Sequence, residues 1–420
     1  MLYFVAIALV VTVGVPAVSV SQPTASDSSS TAGVCRLSLS LNEFRALALT
    51  QSPFLSEIER EYALQTARAF EAQVLSNPEL AVEQTYTRMW IDGANDSQSN
   101  VSLGQPIKLS QLGARETFAR LLGSVADIEK KKRLLEFQQI LVAQFYELYF
   151  VQESQQLFMQ AASRAADGIA QAKRGLAQGL LSDGEEALFE GELFRLQARQ
   201  MGLQARLDAL LRDISTALGS ACVIRAREPE LMSDLPSKEE VLARAGRSEL
   251  SETARLELVQ KLSEQQAHVA ALDAFPTVTP RVLYQHTNDG GDFIGGGITL
   301  PLPIWNRNQG ERIKADAELR AARQRREFTA KGGFESQVVR AYSAAQHARA
   351  QAALYRVKVV PAFQRAVSAQ ERLYQQGKSS IVQIWQALRA YGEAREQSLS
   401  FEVEAINARV QLSLLIGEEV

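Results

Sequence analysis

The residue types that most often carry chemistry are sparse and scattered in this chain. Three histidines, His268, His286 and His347, stand far apart, and none has a histidine or cysteine partner at metal-ligand spacing. His286 is followed by Asn288, Asp289 and Asp292, which would make a weak cation loop or a plain polar turn. The run GGDFIGGG has the glycines of a phosphate cradle but no Lys-Ser/Thr after it, and its neighbours read as extended. There are no paired carboxylates in a cleft-forming context, no nucleophile elbow and no Cys/His pair, so the expectation is no enzyme, no cofactor and no resident metal. EKKKR, residues 129–133, reads as a solvated helix face. Asp183, Glu185 and Glu186 open a helix, where the dipole alone favours acids; the same charges would also suit cation passage.

With chemistry this thin, the elements themselves have to carry the function. The chain has 420 residues but only 12 prolines and 25 glycines, which points to long uninterrupted helices. Its net charge of −3 gives no sign of nucleic-acid binding. Residues 2–20 are apolar and end in small residues, so 1–21 read as a secretory signal peptide, with an uncleaved anchor as the alternative. A Ser/Thr-rich leader, 22–38, follows. In an exported chain the two cysteines, Cys35 and Cys222, suggest one disulfide or else two thiols.

Self-comparison decides the organisation. Pro78 matches Pro276, Tyr86 matches Tyr284, Gly179 matches Gly377 and Gly219 matches Gly417, each pair 198 residues apart. Pro106, Gly113 and Arg115 match Pro303, Gly310 and Arg312 at a shift of 197. The chain is thus a tandem duplication: repeat 1 over 39–224, a linker over 225–237 and repeat 2 over 238–420. Each copy is expected to open with one helix, 39–75 or 238–272, and to continue into a strand pair. The strands fall at about 79–87 and 100–107, then at about 277–286 and 293–302, with one face apolar and the other small or polar, the pattern of a lipid-facing barrel wall. A helix near 65 residues long follows each pair, turns at a tip near 179 or 377, and returns to Gly219 or Gly417. LPLPIWNRNQG, 300–310, is the junction between strand and helix: prolines where the ladder ends, Asn306 and Asn308 for the turn, Gly310 for close backbone packing.

Four strands cannot close a barrel, and an open edge in lipid leaves backbone groups unsatisfied. Closure demands several chains; two give eight strands and three give twelve, of which the wider ring leaves an aqueous lumen. Tyr86, Trp90, Tyr284 and Trp305 near the strand ends suit an interfacial aromatic girdle.

The duplicated pattern, the NPEL entry to the first strand, the LPLPIWNRNQG exit from the fourth, and the QGLLS and QGKSS tips together resemble the TolC-type outer membrane efflux family, with the last strand and its exit most similar to the CzcC-like heavy-metal branch. The resemblance covers essentially 39–417. It implies a mainly α fold with a β-barrel: a homotrimer with a twelve-strand barrel in outer-membrane lipid and a helical tunnel in the periplasm. A periplasmic adaptor and an inner-membrane RND transporter would complete the pump. It also implies adaptor contact at Gly179, Leu180 and Leu181 and at Gly377, Lys378 and Ser379. Where the family lines its closed aperture with acids beyond the second tip, this chain has Gln383 and Gln386, which leaves Asp183, Glu185 and Glu186 as the nearby acids. The expected cargo is metal cations such as cobalt, zinc, cadmium or copper. Drugs, other small solutes or type I secretion substrates are the alternative, and a periplasmic coiled-coil adaptor or structural protein is the distant one.

Overall fold

The computed structural model describes residues 36–88, 95–177, 183–220, 222–228, 234–288 and 290–418. The calls on the signal peptide, the leader as far as residue 35, Cys35, Trp90, Asp289 and the first tip (Gly179, Leu180, Leu181) lie outside the described residues, whereas the last leader residues, 36–38, are not flexible chain but part of a strand that pairs with Val223–Ala226. The first copy contains β1 (Arg36–Leu39), α1 (Leu41–Gln51), α2 (Pro53–Gln73), β2 (Glu79–Arg88), β3 (Asn95–Gly104), α3 (Ala114–Ala177) and α4 (Asp183–Leu218). After β4 (Val223–Ala226) the second copy runs through α5 (Lys238–Arg247), α6 (Glu252–Leu272), β5 (Thr279–Thr287) and β6 (Asp292–Thr299). It ends with α7 (Gln309–Phe328), α8 (Phe334–Leu354), α9 (Val360–Gln375) and α10 (Ile381–Ile416).

The helices stand in four columns. α2 and α4 both pack on α3; α6 and α10 fill the space between α3 and the α7–α9 column. α3 alone has 64 residues, roughly 100 Å at the helical rise. The sheet repeats the order, β2-β3-β5-β6, so β2 above α2 and β6 above α7 are both free edges.

Duplication extends into the core. Phe44, Ala48, Phe137, Leu141, Leu148, Ile214 and Leu218 belong to one apolar cluster; Val241, Ala245, Phe334, Val338, Ala345, Leu412 and Ile416 form the other. Taken in order, each pair is 197 or 198 residues apart, so the two copies bury the same positions. A third cluster, Val142, Tyr146 and Phe150 of α3 with Leu399, Ile406 and Val410 of α10, joins the copies.

Several boundaries differ from the sequence expectation. The opening helix of each copy is broken: Ser52 ends α1, its side chain accepts from the Phe54 N–H, and Pro53 at the first position of α2 starts a new helix. Ser248 and Ser251 bracket the same break in the second copy. The second strand occupies 95–104, displaced outward from 100–107, because Gln105 and Ile107 bond to Pro280 and Val278 after regular pairing has ended. The chain has six strands among the described residues. Four form the expected sheet, while β1 and β4 pair in parallel with Arg36 opposite Val223. Gly310 has open space where a Cβ would go, so close packing is not its role.

The second long helix is not continuous. π-turns interrupt it at Thr329–Gly333, where Gly332 takes φ 94°, and at Tyr355–Val359. The copies are still 197 apart at Leu148 and Ala345 but 198 apart at Gly179 and Gly377. One residue is therefore inserted between those landmarks, and the turn at Tyr355–Val359 is how the helix absorbs it.

Around the middle of the helices, Glu43 ties α1 to the end of β4. Its carboxylate closes the capping box on Ser40 and also accepts from Arg227. The Arg227 hydrogen bond, followed by those from Ser40, lowers its pKa to about 2. A depressed folded-state pKa stabilises above the ordinary carboxylate value and is lost as pH falls toward it. Glu43→Gln should lower the thermal midpoint at pH 7, with the difference from wild type shrinking between pH 4.5 and about 2. A pH-independent difference would reject this linkage.

Candidate lipid-facing wall and helical tips

The ladder fixes which side chains share a face. Val82, Val101, Tyr284 and Ile294 form one row across the four strands; Leu80, Leu103, Val282 and Gly296 form the next. Both rows lie on the same face, and Val82 and Ile294 are 70% and 82% exposed in the single chain. Ile298 continues this face, and the exposed Leu300 and Leu302 follow just beyond the end of the strand. About eight residues from Ile294 to Leu302, tilted about 40°, give an apolar band roughly 20 Å tall, close to the ~25 Å of outer-membrane barrels. The row above is polar: Gln84, Ser99, His286 and Asp292.

On the opposite face Glu83, Asn100, Gln285 and Phe293 form one row, with Ala81, Ser102, Leu283 and Gly295 beside it. Apart from Leu283 and Phe293 that face is polar or small. Among the described residues no helix is long and apolar enough to cross a membrane. The sheet is the membrane-compatible element.

The aromatics expected at the interfaces fall at different heights. Trp305, 88% exposed, lies below the band where the chain leaves β6. Tyr86 is exposed near the outer end of β2. Tyr284 sits one row below the polar rim, and its hydroxyl donates to Asp292 at 2.7 Å. His286 Nδ1 is 2.8 Å from the same carboxylate, which makes this a closed polar cluster at the rim. Among the described residues no group of His, Cys, Asp and Glu is arranged to hold a metal.

At the other end, the second tip is described in full. Gly377 takes φ 70°, its N–H donates to Tyr374 O, and the Lys378 N–H reaches Leu373 O, which closes α9 with a left-handed turn. Ser379 Oγ bonds Gln370 Oε1 at 2.9 Å and Gln383 Oε1 at 2.8 Å. Gln383 also completes the capping box of α10, so its amide is committed to the helix start; Gln386 one turn on is exposed. Asp183, Glu185 and Glu186 stand on the first turn of α4. Above the tips, Arg195 and Arg199 of α4 pair with Glu393 and Glu396 of α10, binding the two hairpins together. Neither these ion pairs nor the cleft they border was foreseen, because each partner sits one full repeat away.

Cys222 is disulfide-bonded, and it directly precedes β4. Cys35 directly precedes Arg36, whose register partner is Val223.

Comparison with known proteins gives one consistent picture. A family model described as "Outer membrane efflux protein" matches residues 254–418, from α6 to the end of α10. The cobalt-zinc-cadmium resistance protein CzcC of Cupriavidus metallidurans is 22% identical over 385 residues, covering 90% of each chain. The fold is that of solved outer-membrane channels. VceC of Vibrio cholerae superposes with a TM-score of 0.72 at 16% identity, covering 90% of this chain and 96% of that one. CmeC of Campylobacter jejuni gives 0.73 at 14%, covering 90% and 85%. CusC gives 0.72 at 13%, covering 90% and 92%.

Proposed function

We propose that the chain is a TolC-type outer membrane efflux protein, as the family match over residues 254–418 and the similarity to CzcC support, and that three copies close into a twelve-strand barrel continued by a helical tunnel that conducts substrate outward. The observation that carries the assembly is the match between the chain's two edges. β2 and β6 leave backbone groups unpaired, and an open edge in lipid costs several kcal/mol per group. Below them, the edge helices expose apolar side chains at matching levels. Phe194 and Met201 of α4 stand 15 and 22 residues from the first tip; Phe363 and Leu354 stand 14 and 23 residues from the second. A column from one chain thus meets the other column of the next chain with apolar groups facing.

The small layer formed by β1, β4, α1 and α5 then lies on the outside, since the lumen has to stay open. The tips at Gly377, Lys378 and Ser379, with Gly179, Leu180 and Leu181, are the free end of the tunnel and the surface offered to a periplasmic adaptor, itself fed by an inner-membrane RND transporter. Asp183, Glu185, Glu186, Gln383 and Gln386 line the narrow end. Metal cations are the cargo favoured by the similarity to CzcC, with drugs or other small solutes as the alternative. Cys35 and Cys222 form one disulfide, as the β1–β4 register supports.

Phe194→Cys together with Phe363→Cys tests the assembly, because the two positions lie on opposite edge columns of one chain. A short thiol crosslinker should yield covalent dimers and trimers from the double variant and none from either single variant. Crosslinks absent from a protein that fractionates with the outer membrane would sink the arrangement. Cargo is tested separately: loss of the protein should sensitise cells to cobalt, zinc or cadmium, and unchanged metal tolerance with raised drug sensitivity would favour the alternative.

A further inference from the structure

Where α3, α8 and α10 meet, just beneath the segment that links the two copies, the chain forms an open cleft of about 550 Å³. Its size is that of a small-molecule site. The floor is the buried seam of Tyr146, Phe150, Leu399 and Ile406. Four arginines stand around it: Arg349, Arg356, Arg395 and Arg409.

The charges facing these arginines are Glu228 of the linking segment and Glu402 of α10, with Asp234 paired to Arg349. Among the lining side chains the arginines outnumber the carboxylates four to two, while Asp234 and Glu418 act on Arg349 and Arg409 from outside the lining; burial raises the pKa of Glu402 against the pull of Arg356 and Arg395. Burial, and after it the neighbouring Arg349, lower the pKa of Arg409 against the pull of Glu418.

The duplication supplies a control. A feature needed only to build a hairpin should recur in both copies, as the apolar clusters do. The first-copy counterparts of Arg349, Arg395 and Arg409 are Gln152, Gln197 and Leu211, none of them basic. Arg356 stands inside the π-turn at Tyr355–Val359, the segment that carries the inserted residue. Such turns are often found at functional sites. The arginines and the insertion thus converge on one place in the second copy, while the matching part of the first copy folds without them.

We propose that this cleft binds an organic anion with an apolar body: a carboxylate or phosphate monoester carried on an alkyl or aryl group. The body lies on the seam between α3 and α10, and the anionic head meets the arginines, with Tyr149 at the edge. The proposal is argued from this chain's own residues and uses no contact of the proposed trimer.

The test uses the full chain in nanodiscs of zwitterionic lipid, titrated with the fluorescent carboxylate dansyl-undecanoate. Binding should saturate at one probe per chain, with decanoate and decyl phosphate displacing it and decylamine failing to. Arg356→Gln combined with Arg395→Gln should weaken binding about tenfold or more. Ala405→Trp, which fills the cleft without changing its charge, should weaken it as well, and it decides the matter if the arginine variant fails to fold. A signal that follows lipid alone, equal displacement by decylamine, or wild-type affinity in well-folded variants would overturn the site. Oligomeric state, read by crosslinking on the same samples, separates this result from the fate of the trimer.

Discussion

Ile298→Arg should keep the protein from assembling in the outer membrane. Ile298 is midway along the apolar band, 73% exposed in the single chain, with Pro280 as its ladder partner. Arginine at the midplane of a barrel costs about 2–4 kcal/mol, and a closed ring carries the change once per chain. Glu83→Arg is the control, since it sits on the opposite face of the sheet, in the row with Asn100, Gln285 and Phe293. Outer-membrane yield should fall sharply for the first variant and stay near wild type for the second. The reverse ranking would mean that the lumen and lipid faces have been exchanged.

Phe145→Ala should have the largest effect among single changes in the helical region. Phe145 is fully buried where α1, α3, α4 and β4 converge, its ring 5.4 Å from that of Phe44 and 6.3 Å from that of Tyr146. Truncating a buried phenylalanine costs about 3–5 kcal/mol, because the lost transfer energy is joined by the cavity left behind. The equivalent residue of the second copy is Tyr342, which is only half-buried and donates its hydroxyl to Pro236 O at 3.0 Å. Tyr342→Ala should therefore cost less. Denaturant midpoints measured on both variants check the order, and equal losses would overturn the claim that burial at Phe145 makes the difference.

Much of the architecture could be read directly from the chain, for physical reasons visible in particular residues. Strand faces follow from strict alternation, so Leu80, Val82, Val101, Leu103, Val282 and Ile294 fell on one face before any register was known. The tip at Gly377 follows from a glycine ending a long helical pattern. What escaped notice depended on distant partners or single residues. β1 and β4 have four residues each and pair across 187 positions, which no local pattern reveals. The break at Ser52–Pro53 was hidden inside an otherwise helical run. The change of shift from 197 to 198 stood in the sequence, yet locating it needed the buried pair Leu148 and Ala345. The arginine cleft draws on α8, α10 and a π-turn, and each of its arginines alone looks like an ordinary solvated helix residue. The tips were legible as turns, while the role of Gln383 as a cap depended on the geometry of Ser379 and Ser380.

The single inserted residue at Tyr355–Val359 has a consequence for counting. The proposed ring of three chains, each a duplication, would offer six nearly equivalent walls, and any partner that recognises what the copies share, such as the buried pattern beneath α1 and α5 or the 36-residue return helices, would meet six places to bind. A ligand that recognises the π-turn and its arginines would meet three. One added residue would thus halve the symmetry, giving the same tube two independent valences.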